Sequence, residues 1–313
     1  MYNISEITQF FNDSGKFHGA VRTGESLASH TTMNVGGKAG IFIEPEDKDS
    51  LLLAASALKE RGVDFFVLGG GSNVIISDDG LDAVISTRKM SGVKIDGGGQ
   101  FRISAESGAS WGSLLSFCGK NNIGGFEAFS GLSGTVGGAL FMNASCFGLS
   151  ACDNLVSADY LDLSDMRVRT YEKRSDDWGY KKSPFQSRMR DSKSLSRLVI
   201  LSAVFDAHHG FDPRRAEECV EERRRRGHFN APSAGSAFKN GGEVAAGKII
   251  DECGLKGFSI GGARVAPWHG NLIINPEGKA AASEIKELLE SVRRIVLERK
   301  GVSLESEILF VGF

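Results

Sequence analysis

Two segments of this chain have the make-up of anion cradles. Residues 69–73 read Gly-Gly-Gly-Ser-Asn directly after an apolar run at 63–68. Successive glycines let backbone N–H groups close on an anion, and Ser72 and Asn73 add side-chain donors, which suits a pyrophosphate. A structural tight turn accounts for this motif alone about equally well. The fingerprint GxGxxG leading into a long helix is absent, and no Gly-Lys-Ser/Thr follows, so neither a Rossmann dinucleotide site nor a Walker A loop is indicated. The second segment is Ser130-Gly131-Leu132-Ser133-Gly134-Thr135-Val136-Gly137-Gly138-Ala139, with Asn143 just beyond. Its paired glycines could simply permit close packing. Two such segments about sixty residues apart favour a long phosphate-bearing cofactor over two unrelated turns.

Other residues could do acid–base work. Ser236 lies in Gly235-Ser236-Ala237-Phe238-Lys239-Asn240, where small neighbours permit close approach to a substrate, although a lone serine is usually a turn residue. No GxSxG elbow with a credible Asp/His set supports a hydrolase triad. His269, in Trp268-His269-Gly270-Asn271, is more often structural than catalytic. The six histidines lack metal-ligand spacing, so no metal is expected. Glu305 and Glu307 flank Ser306, and i, i+2 spacing would put both on one face of a strand.

These residues need a scaffold, and the hydrophobic pattern predicts one. Helices are expected over 47–61, 110–121, 213–226, 245–252 and 283–299. In the 213–226 helix, Glu217, Glu218, Glu221 and Glu222 precede Arg223 to Arg226, an order that suits the helix macrodipole. Strands are expected at 63–68, 74–76, 83–86, 101–105, 155–163, 166–171, 199–205, 263–265, 272–274 and 308–311. This mixture, without a tandem repeat, indicates an α+β fold.

Composition narrows the class. The chain has 313 residues and a net charge of −2, which gives no bulk electrostatic case for nucleic acid or anionic lipid. Glycine is abundant, 40 against 6 prolines, and clustered where backbone must bend or meet a ligand. The 5 cysteines form no CxxC pair, which fits reduced thiols in a cytosol. Residues 1–17 lack the charged-then-apolar order of a signal peptide, and no stretch approaches the ~20 apolar residues of a membrane span.

Taken in order, the segments resemble the UDP-N-acetylenolpyruvoylglucosamine reductase family, whose members are also called UDP-N-acetylmuramate dehydrogenases. The resemblance runs from His30-Thr31-Thr32-Met33-Asn34-Val35-Gly36-Gly37-Lys38-Ala39 through the two cradles. It continues with Tyr180-Lys181-Lys182-Ser183-Pro184-Phe185, the Ser236 loop, Gly254-Leu255-Lys256-Gly257, Gly261-Gly262-Ala263, the segment 269–275 and Leu304-Glu305-Ser306-Glu307. It fits the shorter class, which lacks a substrate-covering tyrosine loop. The resemblance implies a two-lobed FAD-binding module of the vanillyl-alcohol-oxidase (PCMH) type and a smaller α+β substrate-binding domain. The matching divisions are lobe 1 at 1–90 completed by 302–313, lobe 2 at 91–207, and the substrate domain at 208–301.

The implied reaction is reduction of an enolpyruvyl UDP-N-acetylglucosamine to UDP-N-acetylmuramate in peptidoglycan precursor synthesis. FAD is bound non-covalently, NADPH is the hydride source, hydride goes to C3 and a proton from Ser236 to C2. By the same resemblance Glu307 and Lys181 complete the catalytic set, Lys181 standing where the family has arginine. Lysine keeps the charge but loses the bidentate fork. The cofactor residues implied are Gly69, Gly70, Gly71, Ser72, Asn73, Ser130, Gly134, Thr135, Gly137, Gly138 and Asn143. The implied contacts to the UDP sugar or NADPH are Tyr180, Arg226, Lys239, Asn240, Lys256 and His269. Ser133 and Gly241 replace prolines of the family, which bears on loop rigidity. A cytoplasmic monomer is expected, with no nucleic-acid or membrane partner. A flavin oxidase of the same fold, and a non-catalytic nucleotide-binding module, are the competing readings.

Overall fold

The computed structural model describes residues 3–96, 101–186, 189–190, 195–241 and 244–313. The first two residues of the segment read for a leader therefore lie outside the described residues. The chain forms two compact units, each assembled from separated segments. The first comprises Met1–Glu25, Ala39–Gly70 and Asp82–Val220; the second comprises Ser26–Lys38, Gly71–Leu81 and Glu221–Phe313.

The first unit carries two larger sheets. One has the order Gly19–Ser26, Lys38–Pro45, Leu81–Ser86, Phe65–Leu68, with the last two strands parallel. The other is antiparallel, in the order Arg167–Glu172, Leu155–Asp162, Leu198–Asp206, Arg102–Glu106, Val93–Asp96. The helix Lys48–Glu60 begins where the Asp47 carboxylate accepts the Ser50 N–H at 2.7 Å, and Gly62 at φ +66 follows its end. Its buried Leu51, Ala54, Ala55 and Leu58 join Ile41, Ile43, Ala83 and Ile85 in one core. A second core gathers Trp111, Leu114 and Cys118 of the helix Trp111–Lys120 with Phe129, Phe126 and Phe205.

The second unit packs the helices Ala246–Glu252 and Ala282–Lys300 on the antiparallel sheet Ser233–Ser236, Leu272–Ile274, Ala263–Val265, Ser259–Ile260. Ile285, Leu288, Leu289, Val292 and Val296 form the buried stripe of the long helix, at the spacing of an amphipathic helix. The Asp78 carboxylate caps it by accepting from the Ala282 and Ser283 N–H groups at 2.8 and 3.0 Å. Burial pushes the Asp78 carboxyl up, but these bonds outweigh it and leave the group below its ordinary pKa. Leu309–Val311 pairs in parallel with Val74–Ile76. Among the described residues no helix is long and apolar enough to cross a membrane.

Several elements differ from expectation. The helix Ile4–Asp13, the strands Gly19–Ser26 and Lys38–Pro45, and the helix Val136–Met142 inside the second glycine segment are additional. The last strand starts only at Leu309, and Glu305 and Glu307 do not share a strand face. Their backbone bonds instead to Lys239 and Ala237, and Ser306 forms an isolated bridge with Phe238.

Candidate active site

In the first unit the two glycine segments meet backbone to backbone. A Cβ on Gly70 would lie 2.4 Å from Gly134 Cα, and one on Gly69 would lie 2.7 Å from Thr135 Oγ1. Thr135 caps the helix Val136–Met142, its Oγ1 accepting from the Gly138 N–H at 3.4 Å. The Val136 and Gly137 N–H groups donate to Ala109 O and Ser107 O at 2.9 and 2.8 Å. At Gly137 the missing side chain thus serves packing first, since a Cβ there would be 2.8 Å from Ser107 Cβ. Ser130 is buried on the approach to this segment.

Asn143 ends the cradle helix in the left-handed region, at φ 41 and ψ 57. Its buried carboxamide donates to Gly179 O at 2.8 Å and accepts from the Cys152 N–H at 3.3 Å. Gly179 and Lys182 exchange both backbone bonds, making a two-residue turn of Tyr180 and Lys181. Lys181 sits there at φ 53, with its Nζ 5.8 Å from the centroid of the exposed Tyr180 ring. Buried Ser183 donates to Phe141 O at 2.7 Å. The turn is therefore tied at both ends to the cradle helix.

The second unit holds the rest of the first cradle and the candidate acid. Gly71 lies at φ +65, and a Cβ there would be 2.0 Å from His30 O; its carbonyl accepts from the Thr32 N–H at 3.0 Å. Asn73 Nδ2 donates to Glu307 O at 2.9 Å, so this residue holds backbone as well as being a candidate ligand donor.

Ser236 ends its strand opposite Leu272, just after Gly235 at φ +74 and a break in pairing register. The adjoining Ala237 O accepts the Glu307 N–H at 2.9 Å, and the Lys239 N–H donates to Glu305 O at 2.8 Å. Ser236 and Glu307 are thus carried on neighbouring backbone segments, with the Glu307 side chain largely buried.

The candidate cations of this unit are paired with carboxylates: Lys239 with Glu305, Lys256 with Asp251 at 2.6 Å, and Arg226 with Glu222 at 2.7 Å. Pairs this exposed contribute little to stability, so exchanging their carboxylates for a diphosphate costs little. Asn240 Oδ1 accepts the Ala246 N–H at 3.1 Å at the start of the next helix.

His269 is held differently. Its Nδ1 accepts the Asn271 N–H at 3.1 Å, which puts the proton of the neutral ring on Nε2. Burial first, and then the charge of Arg226, lowers its pKa. This makes His269 a neutral donor rather than one of the site's cations. The His228 ring lies 5.7 Å away and is pushed down to about 4, by burial first and then by His269, Arg223 and Arg226. Sequence reasoning passed over His228 and Asn271 because their roles depend on partners brought together by folding.

His228 binds a proton near 6.5 when unfolded and near 4 when folded, so the unfolded chain gains protons first as pH falls. The stabilisation is whole above about 6.5 and declines between there and about 4. Urea midpoints should therefore fall from pH 7 to pH 4.5, and by less in His228→Asn; an unchanged pH dependence in the variant would contradict this.

Comparison with known proteins adds a separate line of support. An FAD binding domain family matches residues 39–170, and the UDP-N-acetylenolpyruvoylglucosamine reductase C-terminal domain family matches residues 227–311. The chain is 37% identical to the UDP-N-acetylenolpyruvoylglucosamine reductase of Treponema denticola, over 100% of this chain and 98% of the relative. It is 35% identical to that of Treponema pallidum, over 91% and 92% of the two chains. A crystal structure of the reductase from Thermus caldophilus superposes with a TM-score of 0.72 at 26% identity, covering 94% of this chain and 99% of that one.

Proposed function

The chain belongs to the UDP-N-acetylenolpyruvoylglucosamine reductase family, and on that premise we propose that it reduces enolpyruvyl-UDP-N-acetylglucosamine to UDP-N-acetylmuramate with NADPH. It is an FAD-dependent oxidoreductase of α+β fold, with a flavin-binding part of the vanillyl-alcohol-oxidase type. The observation that carries the reading is the pairing of full-length kinship with the adjacency of Ser236 and Glu307 through Ala237.

The first glycine loop fits a pyrophosphate. Gly70 O accepts from Arg88 Nη2 at 2.8 Å, and Gly71 O from Thr32 N. In a planar trans peptide the following N–H points opposite to the carbonyl. The Gly71 and Ser72 N–H groups therefore turn away from those protein donors, as an anion site requires. We assign FAD to residues 69–73, Ser130, Gly134, Thr135, Gly137, Gly138 and Asn143. When bound, FAD supplies two-electron hydride chemistry, accepting from NADPH and giving to C3 of the enolpyruvyl group.

The protein's own residues supply the rest. Ser236 Oγ gives its proton to C2 as negative charge develops there. A serine is a weak acid and serves only because it is positioned against a far stronger base. The resulting alkoxide regains its proton from solvent. Glu307 polarises the substrate carboxyl, and Lys181 offsets the charge of the enol. Arg226, Lys239, Lys256, Asn240 and Tyr180 bind the UDP sugar or NADPH, and His269 adds an Nε2–H donor. The division into lobes 1–90 with 302–313 and 91–207, and a substrate domain at 208–301, belongs to this proposal, as do a monomeric state and a cytoplasmic location.

Lys181 gives a direct test. Lys181→Arg restores a planar fork for the carboxyl and should speed sugar-dependent flavin reoxidation several-fold, leaving flavin reduction by NADPH unchanged. Stopped-flow traces of the two half-reactions check this; equal changes in both would remove Lys181 from the proposed role.

A further inference from the structure

We infer that Asn271 is a positioning residue for this reduction: its carboxamide stands in for a missing strand and fixes the segment that carries Ser236. The inference rests on the proposed function. Asn271 is buried, with 3% of its surface exposed. Its Oδ1 accepts the Phe238 N–H at 2.9 Å, and its Nδ2 donates to Phe238 O at 2.8 Å. One side chain thereby reproduces the two-bond exchange by which an antiparallel neighbour holds a residue. The exchange lies just beyond the point where the ordered ladder ends, at Ser236 opposite Leu272.

Main-chain bonds extend the grip. Asn271 O accepts the Ala237 N–H at 2.9 Å, and Ala237 O takes the Glu307 N–H on the other side. Residues 237–239 are thus pinned between Asn271 and residues 305–307. The Ser236 hydroxyl and the Glu307 carboxylate take their places from this segment. Asn271 acts on the proton transfer through backbone.

The test uses the FAD-loaded enzyme and Asn271→Asp. An ionised carboxylate only accepts hydrogen bonds, so one oxygen would face Phe238 O without a donor, while a protonated carboxyl again offers both functions. At pH 7.5, N271D should reoxidise its flavin with the enolpyruvyl UDP sugar roughly 100-fold more slowly than wild type, within the range of a displaced general acid. Flavin reduction by NADPH and the KM for the sugar should stay within about threefold, a split expected where only transition-state contacts are lost.

As pH falls and the carboxyl regains its proton, the ratio of N271D to wild-type reoxidation rates should climb. Asn271→Leu, which supplies neither bond, should show no climb. Wild type is the reference because the surrounding elements carry other titrating groups. These are His269 on the same segment, Lys239, Glu305 and Glu307 beyond Phe238, and Lys248 and Asp251 on the helix Ala246–Glu252, whose Gly247 meets Asn271.

Wild-type reoxidation rates in N271D, equal losses in both half-reactions, or a ratio flat with pH would each overturn the inference. If N271D does not retain FAD, Asn271→Ser is judged by the same half-reaction split. A wild-type enzyme that the sugar fails to reoxidise would overturn the proposed function itself, a result visible before any variant is compared.

Discussion

Ser236→Ala is expected to reduce its flavin with NADPH at the wild-type rate and to pass the electrons to the enolpyruvyl sugar about 1,000-fold more slowly, the range lost with a general acid. The selectivity follows from what the substitution leaves intact. Ser236 closes a strand opposite Leu272, and the bonds around it are made by the backbone of Ala237 and Phe238 with Asn271 and Glu307. Alanine keeps all of them and removes one hydroxyl. Thermal midpoint and FAD content should therefore match wild type. Single-turnover traces separate the half-reactions, and a comparable loss in both would point to general damage rather than a lost proton.

Gly70→Ala should instead remove the flavin. A Cβ at this position meets Gly134 Cα at 2.4 Å and Gly134 C at 3.0 Å, so the obstruction is backbone and has no rotamer by which to move aside. The facing loop is also pinned, since Trp111 N donates to Gly134 O and Val136 N to Ala109 O. The two loops have to separate, and a pyrophosphate site shared between them is lost. The purified variant should be nearly colourless and should regain little absorbance on incubation with excess FAD. Gly112→Ala is the control: its Cβ would meet only Ser110 Oγ, at 3.8 Å, within the helix Trp111–Lys120. Alanine there should favour the helix and keep the flavin. A yellow G70A protein would refute the shared site.

Elements whose signals are local were the ones legible from sequence. The helix Lys48–Glu60 has its cap in Asp47 and its stop in Gly62, both adjacent in the chain. The strands Val74–Ile76 and Leu272–Ile274 are short apolar runs between turn residues, and Ala263–Val265 alternates around the exposed Arg264. The elements missed depend on distant partners. The helix Val136–Met142 has glycine at its second and third positions, poor helix formers, and is held by carbonyls of Ser107 and Ala109. The strand Lys38–Pro45 contains Gly40, which is required because Asp82 O lies 2.7 Å from where its Cβ would be. The helix Ala282–Lys300 is legible from its apolar stripe, but part of its N-terminal cap is Asp78, 204 residues from Ala282.

The candidate site divides the same way. Glycine clusters, Ser236 and His269 stand out by composition and neighbours, whereas Asn271 gains significance only from its bonds to Phe238, and His228 only from its proximity to His269. Glu307 stands out in the sequence only through the family resemblance. Its burial and its link to Asn73 arise from the pairing of Leu309–Val311 with Val74–Ile76, which no local pattern announces.

The proposed reaction is a two-stage transfer of hydride from NADPH to an enolpyruvyl UDP sugar. Its most direct test is an anaerobic titration of the purified, FAD-loaded protein followed by visible absorbance. NADPH should bleach the flavin band, and stoichiometric enolpyruvyl-UDP-N-acetylglucosamine should restore it while UDP-N-acetylmuramate forms in equal amount. A flavin that stays bleached after the sugar is added, and recovers only when oxygen is admitted, would contradict this reaction.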